Sequence, residues 1–387
     1  MLGIRCVIGA NEMPASKNPQ ILALNELGQS VWYDNLSRDV LRSGELQSLI
    51  SNGISGLTSN PTIFKQAIAD TTNYDDDMSS DELRKLTTES LCEELMVRDV
   101  AAAADLLLPV YTATDAGDGY ASIEVSPYLA ADAQGTIEAA LRLWKKLERP
   151  NIMIKIPATP ECIPAIQATL EHGINVNVTL IFSERVYQQV AEAYIAALET
   201  RAARGEDLGR VASVASFFVS RVDAMVEKKF DELVKVGKVT PERKESFFGR
   251  VGVANSKLAY AAFERIFGSE RFKKLHEKGA RVQRPLWAST GTKNPVFKAV
   301  MYVEELAGRD TVNTMPPATV KALLQGADIA PRLHSGCDDA RKLLGSVASM
   351  GIAFDDVLHE LQIAGVKSFA DSYKELLSSI DQKRAVV

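Results

Sequence analysis

The sequence of 387 residues is 46% hydrophobic and 24% charged, which is typical of a globular protein. Its formal net charge of −6 argues against a general binder of nucleic acid or of membrane surfaces, because both need a dominant basic field. No apolar stretch is long enough to span a membrane, and the apolar run within residues 1–14 is too short for a signal peptide.

Short β-rich runs alternate with long amphipathic stretches along the chain. Eight strands separated by helices predict an α/β fold, a (β/α)8 TIM barrel in which a closed parallel sheet lies inside a ring of helices. The predicted strands are residues 30–34, 54–59, 120–125, 152–156, 175–181, 211–219, 285–289 and 311–315. The predicted helices are residues 38–50, 81–107, 136–147, 161–170, 183–201 and 221–274.

The chain is longer than a minimal barrel. We predict a single domain, residues 1–387, with a barrel core at about 30–316 and a C-terminal helical extension at about 317–387 that packs on the barrel. The alternative is a barrel followed by a separate helical domain that begins near Ala318. Helical insertions into the barrel are expected at about 64–119 and 225–284.

Cysteine and histidine are too scattered to predict a metal site or a disulfide framework. No two cysteines form a CxxC pair, and no histidine lies at helical spacing from another histidine or from a carboxylate cluster. The glycine-rich motifs that bind dinucleotides or nucleotide phosphates are also absent. We therefore expect no cofactor and no metal, and reduced thiols in a cytoplasmic protein. The cysteines are Cys6, Cys92, Cys162 and Cys337.

Lys155 is the candidate catalytic residue of the fourth predicted strand. Side chains alternate between the faces of a strand, so Ile152, Ile154 and Ile156 should meet the helices while Met153 and Lys155 point into the barrel. Loss of water disfavours the ammonium form of a lysine, and a neutral amine is the nucleophile that forms a Schiff base with a ketone. From strand position alone, a lysine that extends its charged end to solvent is the more common outcome.

The fifth predicted strand favours a functional interior. Its even-numbered residues are apolar, whereas Asn175, Asn177 and Thr179 share the other face. Polar side chains turned into a barrel cost stability unless they find partners, so such a row suggests a wet interior. The alternative, a solvent-exposed strand face, does not exist in a barrel surrounded by helices.

Further residues, polar apart from Phe218, lie at or near the ends of other predicted strands, where the active sites of such barrels gather. Any one of them could be a helix cap or a turn residue, but their common placement indicates a site. Arg221 has the opposite parity to Phe218, so it can join that site only if the sixth strand has already ended. The residues of this group are Asp34, Asn60, Glu124, Ser216, Phe218 and Ser289.

Two charged motifs outside the strands carry weaker signals. The segment 291–293 (GTK), which includes Lys293, lacks the upstream glycine of a phosphate-binding loop and counts as a weak anion site. The acidic run 75–77 lacks calcium-loop spacing and is expected on a solvated surface.

Four segments resemble the transaldolase family, and the last two resemble its longer bacterial branch. The resemblance runs from about Ser30 to the end of the eighth strand. The segments are 56–64 (GLTSNPTIF), 152–157 with 173–183 (GINVNVTLIFS), 215–223 (ASFFVSRVD) and 284–295 (RPLWASTGTKNP).

The resemblance implies catalytic roles for four residues. Lys155 matches the Schiff-base lysine, and Asp34 matches the aspartate that handles the proton of the substrate hydroxyl next to the bond that breaks. Glu124 and Thr179 match the pair that holds a catalytic water, with Glu124 as acid and base.

The resemblance also implies a set of substrate-binding residues. Asn60 and Asn177 match residues that bind hydroxyls of the three-carbon unit, Ser216 and Phe218 match pocket residues, and Arg221 matches a phosphate-binding arginine.

One position departs from the family pattern. Shorter relatives carry a second arginine two residues beyond Ser289, where this chain has Gly291. Lys293 is the available replacement as a second phosphate ligand.

By resemblance, the chain is a cofactor-free transaldolase of the pentose phosphate pathway, a monomer or homodimer that acts on sugar phosphates. It would transfer a dihydroxyacetone unit from sedoheptulose 7-phosphate or fructose 6-phosphate to glyceraldehyde 3-phosphate or erythrose 4-phosphate. One alternative is a lyase like the small fructose 6-phosphate aldolases, which carry Gln where Glu124 stands and Tyr where Phe218 stands. The other is a non-catalytic barrel that binds sugar phosphates.

Overall fold

A closed barrel of eight parallel strands forms the centre of the protein in the computed structural model, which describes residues 17–69 and 71–385. Each strand pairs with the next, and the last pairs with the first, so the predicted (β/α)8 barrel is confirmed. The predictions on segment 1–14 and on Cys6 lie outside the described residues. The strands are β1 (Gln29–Tyr33), β2 (Gly56–Leu57), β3 (Tyr120–Glu124), β4 (Ile152–Pro157), β5 (Val176–Ile181), β6 (Ser213–Phe218), β7 (Arg284–Ala288) and β8 (Thr311–Met315).

Helices alternate with the strands and cover the outside of the barrel. Short 3-10 helices lie at Leu83–Lys85 and Pro127–Leu129. None of the helices in the described ranges is long and apolar enough to cross a membrane. The α-helices are α1 (Pro19–Glu26), α2 (Arg38–Arg42), α3 (Glu45–Ser51), α4 (Pro61–Ala69), α5 (Asp75–Ser79), α6 (Thr88–Ala113), α7 (Ala133–Leu147), α8 (Ile163–Glu171), α9 (Glu184–Ala203), α10 (Ser220–Lys235), α11 (Pro241–Glu245), α12 (Val251–Phe267), α13 (Glu270–His276), α14 (Met301–Glu305), α15 (Pro317–Gln325), α16 (Cys337–Ser349) and α17 (Phe354–Arg384).

The two faces of β4 lie in different apolar clusters, as the alternation of its side chains predicts. Ile152, Ile154 and Ile156 pack in the cluster between the barrel and its helices. Met153 packs in a second cluster, which joins residues of other barrel strands to helices that include α10, α16 and α17. A parallel strand covered on both faces is buried along its whole length, which explains its nearly continuous apolar sequence. This packing fixes the direction in which Lys155 points.

The prediction of one continuous helix is wrong for two long segments, because glycines interrupt both of them. The predicted helix 38–50 is divided into α2 and α3 at Gly44, which adopts a left-handed φ of +80°. The predicted helix 221–274 is the four helices α10 to α13, with Gly237 at φ +69° and Gly249 at φ +64° between them. A left-handed backbone ends a right-handed helix, and glycine adopts it without the strain of a side chain.

Three further predictions of local structure need correction. The second strand is only two residues long instead of spanning 54–59, and α4 begins soon after it at Pro61. The helix predicted at 81–107 becomes α6, which begins after Thr87, whose hydroxyl accepts a hydrogen bond from the backbone N–H of Ser90. The acidic run 75–77 is not merely a solvated surface, because Asp77 forms ion pairs with Arg38 and Arg98.

Asp223 ties α10 to two other helices. Its carboxylate is buried and accepts hydrogen bonds from the backbone N–H of Gly252 at 2.9 Å and from the hydroxyl of Tyr302 at 2.7 Å. Burial raises the pKa of Asp223 from 3.8 to about 6. Because the folded-state pKa lies above the ordinary value, the stabilising contribution of the protonated form is complete below about pH 4 and is lost as the pH rises through 6.

We therefore expect Asp223→Asn to remove a pH-dependent part of the stability. A shift of about 2 pH units corresponds to about 3 kcal/mol, so the free energy of unfolding of the variant should gain about that much relative to the wild type between pH 4 and pH 7. Urea unfolding of both proteins across this range measures the difference. Parallel curves would mean that Asp223 ionises in the folded protein as it does in the unfolded chain.

Candidate active site

A cavity of about 200 Å3 opens at the carboxyl ends of the barrel strands. A larger cavity of about 390 Å3 lies outside the barrel, between α9, α12, α16 and α17, and no predicted site residue lines it. Glu124 and Asn177 do not line the cavity in the barrel. The predicted residues that line it are Asp34, Asn60, Lys155, Thr179, Ser216, Phe218, Arg221, Ser289 and Lys293.

Lys155 lies on the wall of this cavity and does not extend to solvent. Its side chain is buried, with 4% of the residue exposed. Nζ donates a hydrogen bond to the carbonyl oxygen of Ser59 at 3.1 Å and forms an ion pair with Glu124 Oε2 at 3.3 Å. The register of the barrel places Lys155 beside Glu124 of β3 and Asn177 of β5. An amine held in this way is both accessible from the cavity and next to a carboxylate.

Two carboxyl groups with raised pKa values flank the lysine. Burial raises the pKa of Glu124, and the positive charge of Lys155 only partly opposes this shift. Burial also raises the pKa of Asp34, against the opposing charge of Lys155 and the hydrogen bond that the Thr58 hydroxyl donates to Asp34 Oδ1 at 2.6 Å. Carboxyl groups with raised pKa values are suited to exchange protons near neutral pH.

A chain of hydrogen bonds lies under the cavity. Ser216 Oγ donates to Asn177 Oδ1 at 2.7 Å, and Asn177 Nδ2 donates to Ser122 Oγ at 3.1 Å. Both ends of the Asn177 amide are therefore engaged by neighbouring strands. By contrast, the Thr179 hydroxyl has no hydrogen-bond partner among the described residues, and neither does Glu124 Oε2 apart from its ion pair.

The backbone is strained at two points of the cavity rim. Leu180 and Ser289 adopt left-handed φ values of +58° and +55°, which cost about 1–3 kcal/mol each for residues with a side chain. In β5 the pairing register shifts between Val178 and Ile181, around Thr179. Ser289 is held by a 3.0 Å hydrogen bond between its hydroxyl and that of Ser220. These irregularities occur where polar side chains turn towards the cavity.

Arg221 reaches the cavity because β6 ends at Phe218 and α10 begins at Ser220. Arg221 therefore meets the condition set in the sequence analysis, that the sixth strand ends before it. The guanidinium carbon lies 5.1 Å from the centre of the Phe218 ring and 5.8 Å from that of the Phe369 ring. Burial lowers the pKa of Arg221, with Asp34 opposing the shift, but guanidinium remains charged in proteins.

Gly291 occupies the position of the missing second arginine. A Cβ atom there would lie 3.1 Å from Pro316 Cγ, so a side chain at this position needs the Pro316 ring to shift slightly. Lys293 lines the same cavity, and its positive charge acts on Asp34. The cavity therefore contains three cationic groups: Lys155, Arg221 and Lys293.

Sequence reasoning missed several residues of the cavity, and three of them lie close to the predicted site residues. The Thr58 hydroxyl contacts Asp34 and also lies 2.6 Å from the Thr314 hydroxyl. Both threonines were available from the sequence, since Thr58 lies in the segment GLTSNPTIF and Thr314 lies in the eighth predicted strand. Phe369 of α17 also lines the cavity, and its position in an amphipathic helix is typical of plain core packing.

Known proteins are similar to this chain over nearly its whole length. The transaldolase/fructose-6-phosphate aldolase family model matches residues 31–380. A transaldolase of Trichodesmium erythraeum (strain IMS101) is 43% identical over 370 residues, covering 94% of this chain and 97% of the relative. Transaldolase 2 of Nostoc sp. (strain PCC 7120) is 44% identical, with 94% and 97% covered. A transaldolase of Saccharopolyspora erythraea is 43% identical, with 95% and 98% covered.

Proposed function

The chain belongs to the transaldolase/fructose-6-phosphate aldolase family, and from this membership we propose that it is a transaldolase. It moves a dihydroxyacetone unit from a ketose phosphate, sedoheptulose 7-phosphate or fructose 6-phosphate, to glyceraldehyde 3-phosphate or erythrose 4-phosphate. This is a reaction of the pentose phosphate pathway. The observation that carries the proposal is the buried amine of Lys155 beside the carboxyl group of Glu124, at the wall of a cavity lined with cations.

The reaction begins with a Schiff base on Lys155. Proton transfer from the ammonium to Glu124, whose pKa is raised by burial, leaves the neutral amine that attacks the ketone carbonyl carbon. Loss of water from this adduct gives the imine. Glu124 supplies the proton for the departing water, and the Thr179 hydroxyl, which has no partner among the described residues, is free to hold that water.

Cleavage of the carbon–carbon bond follows from the protonated imine. The imine accepts the electron pair of the bond between the third and fourth substrate carbons, and Asp34 takes the proton of the hydroxyl on the fourth carbon. An aldose phosphate leaves, and the three-carbon fragment stays on Lys155 as an enamine. The enamine then attacks the aldehyde of the acceptor, and the same steps run in reverse.

Binding of the substrate is divided between the hydroxyl and phosphate ends. Asn60 Oδ1 accepts a hydrogen bond from the backbone N–H of Ile63, which leaves its amide nitrogen for a substrate hydroxyl. Arg221 binds the phosphate through charge-assisted hydrogen bonds, and Lys293 replaces the second arginine of shorter relatives. Asn177 acts together with Ser216 through their shared hydrogen bond.

Product analysis tests whether the enzyme transfers or only cleaves. Given fructose 6-phosphate alone, the enzyme should release almost no free dihydroxyacetone. With erythrose 4-phosphate added, it should form sedoheptulose 7-phosphate and glyceraldehyde 3-phosphate. Steady release of dihydroxyacetone without an acceptor would identify a lyase instead, and binding without either product would identify a non-catalytic barrel.

Phe218→Tyr should shift the outcome from transfer towards release. Phe218 lines the cavity and offers no proton, whereas a tyrosine hydroxyl there can protonate the nucleophilic carbon and so free dihydroxyacetone. We expect release to rise by about tenfold or more, with slower transfer. Phe218→Leu is the control, because it removes the ring without adding a proton donor. If Phe218→Tyr merely slows both reactions, Phe218 is only a packing residue.

Two broader proposals accompany this function. The extension after β8 belongs to the barrel domain, because α17 packs against α4 and α10 and supplies a residue of the cavity. The thiols of Cys92 and Cys162 are unpaired and buried, which supports a reducing compartment and hence the cytoplasm.

A further inference from the structure

Helix α17 crosses the mouth of the barrel and is fixed to the ends of two strands. Gln362 is buried, and its Nε2 donates hydrogen bonds to the carbonyl oxygens of Ala158 at 2.7 Å and Leu180 at 3.3 Å. One turn further, Gly365 packs so closely that a Cβ atom there would lie 2.9 Å from Leu180 Cδ2. A glycine inside a helix costs about 1 kcal/mol relative to alanine, but here it allows α17 to lie close to the end of β5.

Phe369 is the residue that this approach brings into the cavity. It follows Gly365 by four residues and so lies on the same face of the helix. The residue is 4% exposed, and its ring centre lies 5.6 Å from Lys155 Nζ and 5.8 Å from the guanidinium carbon of Arg221. Beyond it, the hydroxyl of Ser372 lies 2.9 Å from that of Thr62 on α4, so the helix is fixed on both sides of the ring.

Arg221 has no ion pair among the described residues, and two aromatic rings contact its guanidinium instead. Phe218 provides one ring from the barrel, and Phe369 provides the other from the extension. Cation–π contacts of this kind orient a guanidinium and leave its N–H donors available to an anion. The carboxyl groups of Asp34 and Glu124 act on Arg221 only through their charge.

We propose that Phe369 is a positioning residue of the enzyme, which holds Arg221 in the orientation that binds the substrate phosphate. The C-terminal extension is then a part of the active site that selects phosphorylated sugars, and not only a cover on the barrel. This inference rests on the proposed function.

Phe369→Leu tests the inference, because it keeps apolar volume and removes the ring. The half-saturating concentration for labelling of Lys155 by borohydride should rise about 5- to 30-fold with fructose 6-phosphate and less than about twofold with dihydroxyacetone, which has no phosphate. Phe369→Tyr, which keeps the ring, should retain the affinity of the wild type for fructose 6-phosphate. In an Arg221→Ala background, Phe369→Leu should add almost nothing, because residues that act through one contact are not additive.

Two further comparisons make the result decisive. Tyr373→Leu removes a neighbouring aromatic residue of α17 that does not line the cavity, and it should not change the ratio between the two ligands. If Phe369→Leu does not fold, Gly365→Ala is the second variant. Its methyl group would lie 2.9 Å from Leu180 Cδ2, and the shift between α17 and Leu180 that relieves this contact should raise the half-saturating concentration of fructose 6-phosphate. Gly345→Ala in α16, where a Cβ atom meets nothing within 4 Å, should leave it unchanged.

The inference would be overturned if Phe369→Leu raised the half-saturating concentration equally for both ligands, or if its effect were additive in the Arg221→Ala background. Phe369 would then be only a packing residue. Failure of the proposed function looks different. In that case the wild type itself would show no labelling of Lys155 with fructose 6-phosphate, whatever stands at position 369.

Discussion

Lys155→Ala is expected to abolish borohydride labelling by fructose 6-phosphate and to lower kcat/KM by about four orders of magnitude or more. No other amine is expected to replace it. Lys293, the only other lysine along the cavity in the described part of the chain, is the proposed phosphate ligand, and Arg221 carries no nucleophilic amine. Removal of the amine takes away the imine and with it the acceptor for the electron pair of the breaking bond.

The fold should survive this substitution. Lys155 faces a cavity, so its truncation leaves no new void in the apolar core. The remaining Glu124 loses its positive partner, but burial already raises the pKa of this carboxyl group, so it becomes protonated instead of staying as an isolated buried charge.

Mass spectrometry of the reduced protein measures the prediction directly. The wild type should gain the mass of a single reduced three-carbon unit on the peptide that contains Lys155, and the variant should gain none. Lys145→Ala, which removes an exposed lysine of α7, is the control and should label and turn over normally. Labelling at another lysine in the wild type would remove Lys155 from the mechanism.

The barrel and the direction of its side chains could be predicted because both depend on local alternation. Buried parallel strands repeat every two residues, so the inward face of β4 follows from its sequence, and the structure places Met153 inside the barrel as predicted. The same alternation predicted that Arg221 can join the site only if β6 ends before it, and β6 does end at Phe218. Alternation does not predict the length of each strand, and β2 is only two residues long although the pattern predicted six.

Other features depend on contacts between distant parts of the chain, which no local pattern reports. Phe369 follows β8 by more than fifty residues and reaches the cavity only because α17 crosses the barrel mouth. The hydrogen bonds that engage both ends of the Asn177 amide come from β3 and β6. Residue propensity does not predict the left-handed φ of Leu180 either, since leucine rarely adopts it.

Arg221→Ala is expected to weaken the binding of phosphorylated substrates and to change the pH profile of the enzyme. Hydrogen bonds to a charged group contribute about 1.5–3 kcal/mol, so KM for fructose 6-phosphate should rise about 10- to 150-fold. Labelling by dihydroxyacetone should change little. Arg185→Ala, which removes an exposed arginine outside the cavity, is the matched control.

The pH profile supplies a second, independent measurement on Arg221→Ala. The positive charge of Arg221 lowers the pKa values of Asp34 and Glu124, so its removal should raise both. Because Asp34 must be ionised to accept the proton of the substrate hydroxyl, the rising limb of kcat against pH should move to higher pH in the variant. Arg221→Lys should keep that limb close to the wild-type position, because it retains the charge, while still losing phosphate affinity through the missing guanidinium fork. If both variants leave the limb unmoved and raise KM equally for phosphorylated and unphosphorylated ligands, Arg221 lies outside the phosphate site and its charge does not act on the catalytic carboxyl groups.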